Sequence, residues 1–321
     1  MLAVHLEHGV VSLREVPIPN RPPGFARIRM LVAGICNTDL ELQRGYYGFA
    51  GTPGHEFVGL VVEADQPDLV GQRVAGEINL SCGRCAWCCQ GLGRHCPSRT
   101  VLGIVQHPGA FAEYILLPER NLHIVPNSIP SEQAVFIEPL AAACEILDQI
   151  EIPKGGRVGV LGDGKLGLLV AQVLAAHGAH VVQYGRHPTK LAITASSGVD
   201  AIHISTESSL PKAEFQYVVD ATGSPDGLRA AVRMVRPRGT VVMKSTLHGE
   251  VVIDAAGIIV NEITLVGSRC GRFEPAIRLL ERGSFHVSPL LSAVFPLNRA
   301  PEAFAEAAKR GALKVLLRNP V

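Results

Sequence analysis

Hydrophobic and polar positions change rhythm twice along this chain. From Leu2 to about Asn127 the apolar runs are short and broken by Gly and Pro: Ala26 to Val32, Phe57 to Glu63 and Phe111 to Leu117. Runs of that length between turn residues predict the strands of a β-rich domain with irregular loops. Near Ser131 the texture turns helical. Ser131 can cap a helix, and Glu132 to Leu147 is rich in Ala, Leu, Ile and Glu without an internal Gly. Pro139 falls inside this stretch and predicts a break or kink.

From Gly156 to about Gly271, strand-like and helix-like segments alternate. Arg157 to Leu161, His180 to Tyr184, Ala201 to Ile204, Tyr217 to Asp220, Thr240 to Lys244 and Ile263 to Val266 read as strands. Lys165 to His177, Pro188 to Ser197 and Asp226 to Val235 read as helices. Such alternation predicts a parallel sheet with helices on both faces. Beyond Gly271 come a helix at Glu274 to Arg282, an apolar run at Val294 to Leu297, a helix around Pro301 to Arg310 and a last strand at Lys314 to Leu317. The chain carries no internal repeat and no low-complexity segment.

Composition narrows the classes. The 321 residues suffice for two domains of ordinary size, and 47% hydrophobic with 18% charged residues describes a compact α/β protein, not a disordered one. Thirty basic residues against 29 acidic ones give a formal charge of +1. This offers no electrostatic footprint for nucleic acid and no polybasic stretch for a membrane surface. No apolar run approaches the roughly 20 residues that span a bilayer. The first residues, Met1 to His8, lack the basic and apolar regions of a secretory signal, so a cytoplasmic location is expected. Thiols stay reduced there, and five of the eight cysteines lie between Cys82 and Cys96. That clustering asks for a metal.

Cys82, Cys85, Cys88 and Cys96 form C-x2-C-x2-C-x7-C, a spacing that lets one loop wrap a tetrahedral zinc ion with four thiolates. A closed site of this kind serves stability and leaves no position for substrate. Cys89 adjoins the set as a rival ligand, although the C-x2-C geometry favours Cys88.

Gly162-Asp163-Gly164-Lys165-Leu166-Gly167 has G-x-G-x-x-G spacing between a predicted strand and a predicted helix, the context in which this short pattern becomes informative. Gly162 would make the tight turn, Gly164 would let the backbone approach a pyrophosphate, and Gly167 would let the helix pack on the strand. Lys165 and Leu166 open the helix, whose N-terminal amides favour the negative phosphates. About 20 residues on, an acid at the end of the second strand would bind the ribose 2′-hydroxyl of NAD. It is missing: the strand runs out in Tyr184-Gly185-Arg186. Gly185 makes room, Arg186 supplies a planar cation suited to a 2′-phosphate, and Lys190 could add charge one helical turn further on, which favours NADP(H) over NAD(H).

A second, dispersed constellation comprises Cys36-Asn37-Thr38-Asp39, Gly54-His55-Glu56 and Glu138-Pro139-Leu140. A thiolate, an imidazole and one or two carboxylates suit a zinc site that keeps one position open. Singly, Cys36 reads equally as a small buried hydrophobe, His55 as a satisfied loop histidine and Glu138 as an exposed helix acid.

Taken together with Pro53-Gly54-His55-Glu56-Phe57-Val58-Gly59, the four-cysteine lobe, Gly109-Ala110-Phe111-Ala112-Glu113-Tyr114 and the glycine motif, these residues give the chain a resemblance. Over nearly its whole length it resembles the medium-chain dehydrogenase/reductase superfamily, specifically the zinc-dependent alcohol and polyol dehydrogenases. The resemblance implies an α/β fold in two parts. A GroES-like β-rich catalytic domain would comprise residues 1–138 and 272–321, and a doubly wound Rossmann domain residues 139–271, with zinc and nicotinamide held in a cleft between them. It implies Cys36, His55 and Glu138 at the catalytic-metal positions and Glu56 as a nearby acid able to exchange into the coordination. Two zinc ions per chain follow, one catalytic and one structural. Thr38 would relay the alcohol proton and Asp39 would orient His55. The glutamate at 138 resembles the polyol enzymes, whereas simple alcohol dehydrogenases generally carry cysteine there.

The expected activity is hydride transfer between a secondary alcohol or polyol and its carbonyl, with homodimers or homotetramers by the family's habit. This chain departs from its relatives at Glu41, where many finish the proton relay with a histidine, and in a short turn at Asp65 to Gln72. Tyr46, Tyr47 and Phe49 could line a substrate pocket, with ordinary loop packing as their other reading. The rival functions are a zinc-free quinone- or enoyl-type reductase on the same scaffold, against which the three metal positions count, and a non-catalytic nucleotide-binding relative.

Overall fold

A computed structural model of the chain describes residues 1–245, 250–283 and 285–319. Contacts divide the chain into two units. The first comprises Met1–Glu138 with Ala276–Gly283 and the segment from 287 onward, and the second is built on Pro139–Pro275.

The first unit is organised by the strand Phe25–Ile35. Its alternate residues Ala26, Ile28, Met30 and Val32 are buried, and burial becomes continuous from Val32 to Ile35 where both faces are covered. Glu56–Glu63 pairs antiparallel along one edge, with Gly34 opposite Glu56. The C-terminal strand Lys314–Arg318 pairs antiparallel along the other, with Leu316 opposite Gly34. Residues 260 positions apart thereby flank one glycine. Tyr114–Pro118 also pairs with this strand, but over its first half. Phe111 to Glu113, expected in that strand, precede it and are held by loop hydrogen bonds such as Val4 N–H to Phe111 O. Leu291–Pro296 joins Lys314–Arg318 in parallel.

The helical stretch after Ser131 is two helices, Ser131–Ala134 and Ile137–Gln149. The break falls ahead of Pro139, which sits in the first turn of the second helix, where its missing N–H costs nothing.

The second unit carries a six-stranded, wholly parallel sheet. Its spatial order is Asp200–His203, His180–Gly185, Arg157–Leu161, Phe215–Asp220, Val235–Met243 and Thr264–Gly267. Numbered along the chain that order is 3-2-1-4-5-6, the arrangement of dinucleotide-binding sheets. The segments Val158–Leu161 and Val181–Tyr184 are buried on both faces, with the polar Gln183 among them, and Phe215, Val218, Ala231 and Met234 complete the core beside them. Helices Lys165–His177, Pro188–Ala195 and Pro225–Met234 supply the crossovers. Among the described residues no helix is long and apolar enough to cross a membrane.

Candidate functional site

In the first unit, Cys36 ends the central strand and caps the helix Asn37–Gln43. Asp39, fully buried, is the fastener of this region. Its Oδ2 accepts the Cys36 N–H at 2.8 Å and its Oδ1 accepts the Gly54 N–H at 3.2 Å, so one carboxylate ties together the two loops that carry Cys36 and His55. Asp39 also faces His55 Nδ1 at 3.5 Å, too long for a hydrogen bond, and that buried nitrogen has no other partner among the described residues. Burial opposes protonation of His55, but Asp39 and Cys36 outweigh it and hold the imidazole well above its ordinary pKa. A metal arriving here would displace a proton.

Donor atoms of Cys36, His55 and Glu56 all lie within 4.8 Å of one another. A thiolate on a half-buried Cys36, the imidazole of a buried His55 and the carboxylate of a buried Glu56, gathered at one spot, form a donor set that fits a zinc ion with room for a further ligand. Glu138 stands outside this trio, half-buried in the first turn of its helix. The acid expected as the exchanging partner is therefore the one brought nearest to Cys36 and His55. Thr38 Oγ1 lies 3.8 Å from Cys36 Sγ. Glu41 is ion-paired with Arg44, and Tyr46 stacks on Tyr47 at 3.9 Å.

One member of this site was not legible in the sequence. Lys314, 1% exposed, reaches across the central strand and pairs with Glu56, itself 1% exposed. Its Nζ also lies 5.7 Å from the centre of the Phe136 ring. Burial pulls the ammonium down, but the charges of Glu56, Cys36 and Glu138 more than offset it, so Lys314 is held above its ordinary pKa. Gly34 makes this crossing possible. A Cβ there would lie 2.7 Å from Glu56 Oε2, 2.8 Å from Val135 Cγ1 and 3.2 Å from Lys314 Cδ. In the sequence Lys314 merely opens a strand, and nothing marks it as buried.

The cysteine lobe gathers Cys82, Cys85, Cys88 and Cys96 with all sulfurs within 4.8 Å and no disulfide. Sulfur–sulfur distances are 3.9 Å for Cys82–Cys88, 3.5 Å for Cys85–Cys88 and 3.8 Å for Cys85–Cys96. A tetrahedral ion with Zn–S bonds of 2.3 Å requires sulfurs about 3.8 Å apart. The lobe is shaped for it. Backbone N–H groups of Arg84 and Cys85 pull the Cys82 thiol down to about 6. At Cys85 the Cys88 N–H is outweighed by burial and the neighbouring thiols, which push that thiol up to about 11, so without a metal the four sulfurs do not all ionise together. Cys89 is exposed and turned toward the Arg84 carbonyl, so Cys88 is the member of the set.

In the second unit, Gly162 follows the strand Arg157–Leu161 with φ +110°, and a Cβ there would lie 2.5 Å from the Ala221 carbonyl oxygen. A Cβ at Gly167 would lie 2.4 Å from the Gly162 carbonyl oxygen, whereas one at Gly164 would meet nothing within 4 Å. The first glycine thus serves the turn, the third the packing, and the second leaves its flank open. Lys165 and Leu166, both half-buried, begin the helix. Gly185 ends the second strand; Arg186 is exposed and Lys190 lies half-buried in the following helix. Arg186 makes no hydrogen bond or ion pair among the described residues.

Residues 22–127 match the alcohol dehydrogenase GroES-like domain, and residues 166–282 match the zinc-binding dehydrogenase domain. D-altritol 5-dehydrogenase of Agrobacterium fabrum is 32% identical over 91% of each chain. Among solved structures, a zinc-binding dehydrogenase of Sinorhizobium meliloti bound to NADP is 30% identical, with a TM-score of 0.90 over 99% of this chain and 98% of that one. A short chain alcohol dehydrogenase of Escherichia coli complexed with NADH is 27% identical, with a TM-score of 0.90 over 99% of both. Two near-equal likenesses, one to an NADP complex and one to an NADH complex, agree on the scaffold and leave the nucleotide to local residues. The ligand trio, the four-cysteine lobe, the 3-2-1-4-5-6 sheet and these matches carry one conclusion: the chain belongs to the zinc-dependent medium-chain dehydrogenases, the superfamily of the alcohol and polyol dehydrogenases.

Proposed function

We propose that this protein oxidises a secondary alcohol of a polyol, or reduces the matching carbonyl, with a nicotinamide dinucleotide and two zinc ions per chain. The observation that carries the proposal is the convergence of Cys36, His55 and a carboxylate beneath Asp39. When bound, zinc supplies Lewis acidity toward a substrate hydroxyl or carbonyl, and the nicotinamide supplies the hydride chemistry. Cys36 and His55 would hold the metal with Glu56 or Glu138 as the acidic ligand, and Asp39, which faces His55 Nδ1 at 3.5 Å, would orient the imidazole by its charge. Thr38, whose Oγ1 lies 3.8 Å from Cys36 Sγ, would take up the proton that leaves the alcohol. The second zinc belongs to Cys82, Cys85, Cys88 and Cys96.

The polyol class is supported by Glu138 and by relatives such as the altritol enzyme. For the cofactor, Gly185, Arg186 and Lys190 support NADP(H) over NAD(H), because an exposed, unengaged guanidinium stands where the ribose acid would. A zinc-free reductase on the same scaffold has no use for the ligand trio. The test is elemental zinc on protein purified without chelators, followed by a panel of polyols with NADP⁺ and NAD⁺. About two zinc ions per chain and turnover with a polyol are expected. About one ion, with no polyol oxidised, would sink the proposal.

A further inference from the structure

Asp163 lies inside the glycine motif, at a position the motif itself leaves unspecified. It is 8% exposed, and its carboxylate fills the space that a side chain at position 185 would need: a Cβ on Gly185 would lie 2.7 Å from both Cβ and Oδ2 of Asp163. From there it grips one residue twice. Oδ2 accepts the His187 backbone N–H at 2.6 Å, and the same oxygen lies 3.0 Å from His187 Nδ1, with Oδ1 at 3.2 Å. A carboxylate only accepts, so Nδ1 carries the proton in this pair. Of the two side chains, His187 is 35% exposed and Asp163 11%. The ring is thus the solvent-facing member.

Three consequences follow for the turn between strand and helix. Both Gly185 and His187 are held against the glycine loop, so the backbone of Arg186 between them is fixed on either side while its side chain stays exposed. With Nδ1–H committed to Asp163, His187 can offer a ligand only Nε2, and the doubly protonated ring donates there. Finally, the Asp163 charge would repel a phosphate were it bare, but two donors from His187 meet it. The turn therefore carries an exposed arginine and a histidine at adjacent positions, the histidine backed by a buried acid.

We propose that His187 is a second recognition group, beside Arg186, for the adenosine 2′-phosphate of NADP(H), with Asp163 as the residue that positions it. The proposal rests on the NADP reading above and extends it from one cation to a pair. Asp163 is not the ribose acid moved to a new place, because its oxygens are occupied by His187 and turned inward.

The test is calorimetric titration of the intact, zinc-replete protein in phosphate-free buffer with 2′,5′-ADP and with 5′-AMP, probes that differ only in the 2′-phosphate. Wild type is compared with Arg186→Ala, His187→Asn and Asp163→Ala. His187→Asn keeps the backbone N–H that Asp163 holds, so the turn survives. The expected result is that wild type prefers 2′,5′-ADP and that each variant loses about tenfold or more of that preference while 5′-AMP binding stays nearly constant. If Arg186→Ala loses the preference and His187→Asn keeps it, this inference falls and the NADP reading stands. Equal weakening of both probes by His187→Asn also overturns it, because His187 would then be structural only. If wild type shows no preference for 2′,5′-ADP, the NADP reading fails and takes the inference with it.

Discussion

Replacing Lys314 by Met puts the buried charge pair to a quantitative test. Lys314 and Glu56 are each 1% exposed, so neither charge can recover hydration when its partner is lost. Removing one member of a buried pair typically costs about 3–5 kcal/mol, because the other charge stays buried without compensation. Packing contributes little to that figure. Methionine matches much of the lysine stem, a swap costing under about 1.5 kcal/mol in a core, and its sulfur can still contact the Phe136 ring. Guanidinium unfolding of chelator-treated protein, followed by circular dichroism, should therefore show a lower midpoint with an unchanged slope. Chelation matters, since zinc would offer Glu56 a substitute partner.

The double variant Lys314→Met, Glu56→Gln removes both charges and should recover most of the loss. The charge also sets a pH window. Lys314 is held above its ordinary value of 10.5, so its contribution is fully present below 10.5 and disappears as pH rises through the higher folded value. The gap between wild type and Lys314→Met should be constant near neutrality and close only above 10.5. A single variant within about 1 kcal/mol of wild type, or a double variant no more stable than the single one, would refute the reasoning.

Three further outcomes can be checked independently. If Cys36 holds the metal as proposed, Cys36→Ser should abolish polyol oxidation while leaving the far-ultraviolet spectrum unchanged, because a half-buried sulfur adds little to the core; near-normal turnover would remove Cys36 from the site. Gly34→Ala should destabilise the protein by about 1–3 kcal/mol, since its methyl would strike Glu56 and Val135, and a neutral effect on thermal unfolding would show that the strand can move aside. Cys88→Ser should lower zinc from about two ions per chain to about one, whereas Cys89→Ser should leave it unchanged. Equal zinc loss in both would mean that Cys89 shares the ion.

How much of this was legible in the chain depends on how local each feature is. The cysteine lobe is local: four thiols within fifteen residues can close on one ion by loop geometry alone, and the sulfurs stand at zinc-like separations. The glycine motif is local as well, since one tight turn joins a strand to the helix Lys165–His177. Apolar periodicity likewise sufficed for the parallel sheet, because strands buried on both faces read as continuous apolar runs.

What escaped the sequence is what depends on strands distant in the chain becoming neighbours. Lys314 meets Glu56 because two strands pair with opposite edges of Phe25–Ile35 and Gly34 leaves the gap between them empty. Choosing between Glu56 and Glu138 as the acid nearest Cys36 and His55 likewise needed the fold, because both carry the same chemistry and only position separates them. Asp163 and His187 lie 24 residues apart and touch because adjacent parallel strands end side by side. Sequence determines the elements and the clusters that one loop can assemble. Pairing across the sheets decides which charges share a buried space, because desolvation and direct contact act through distance in space and not along the chain.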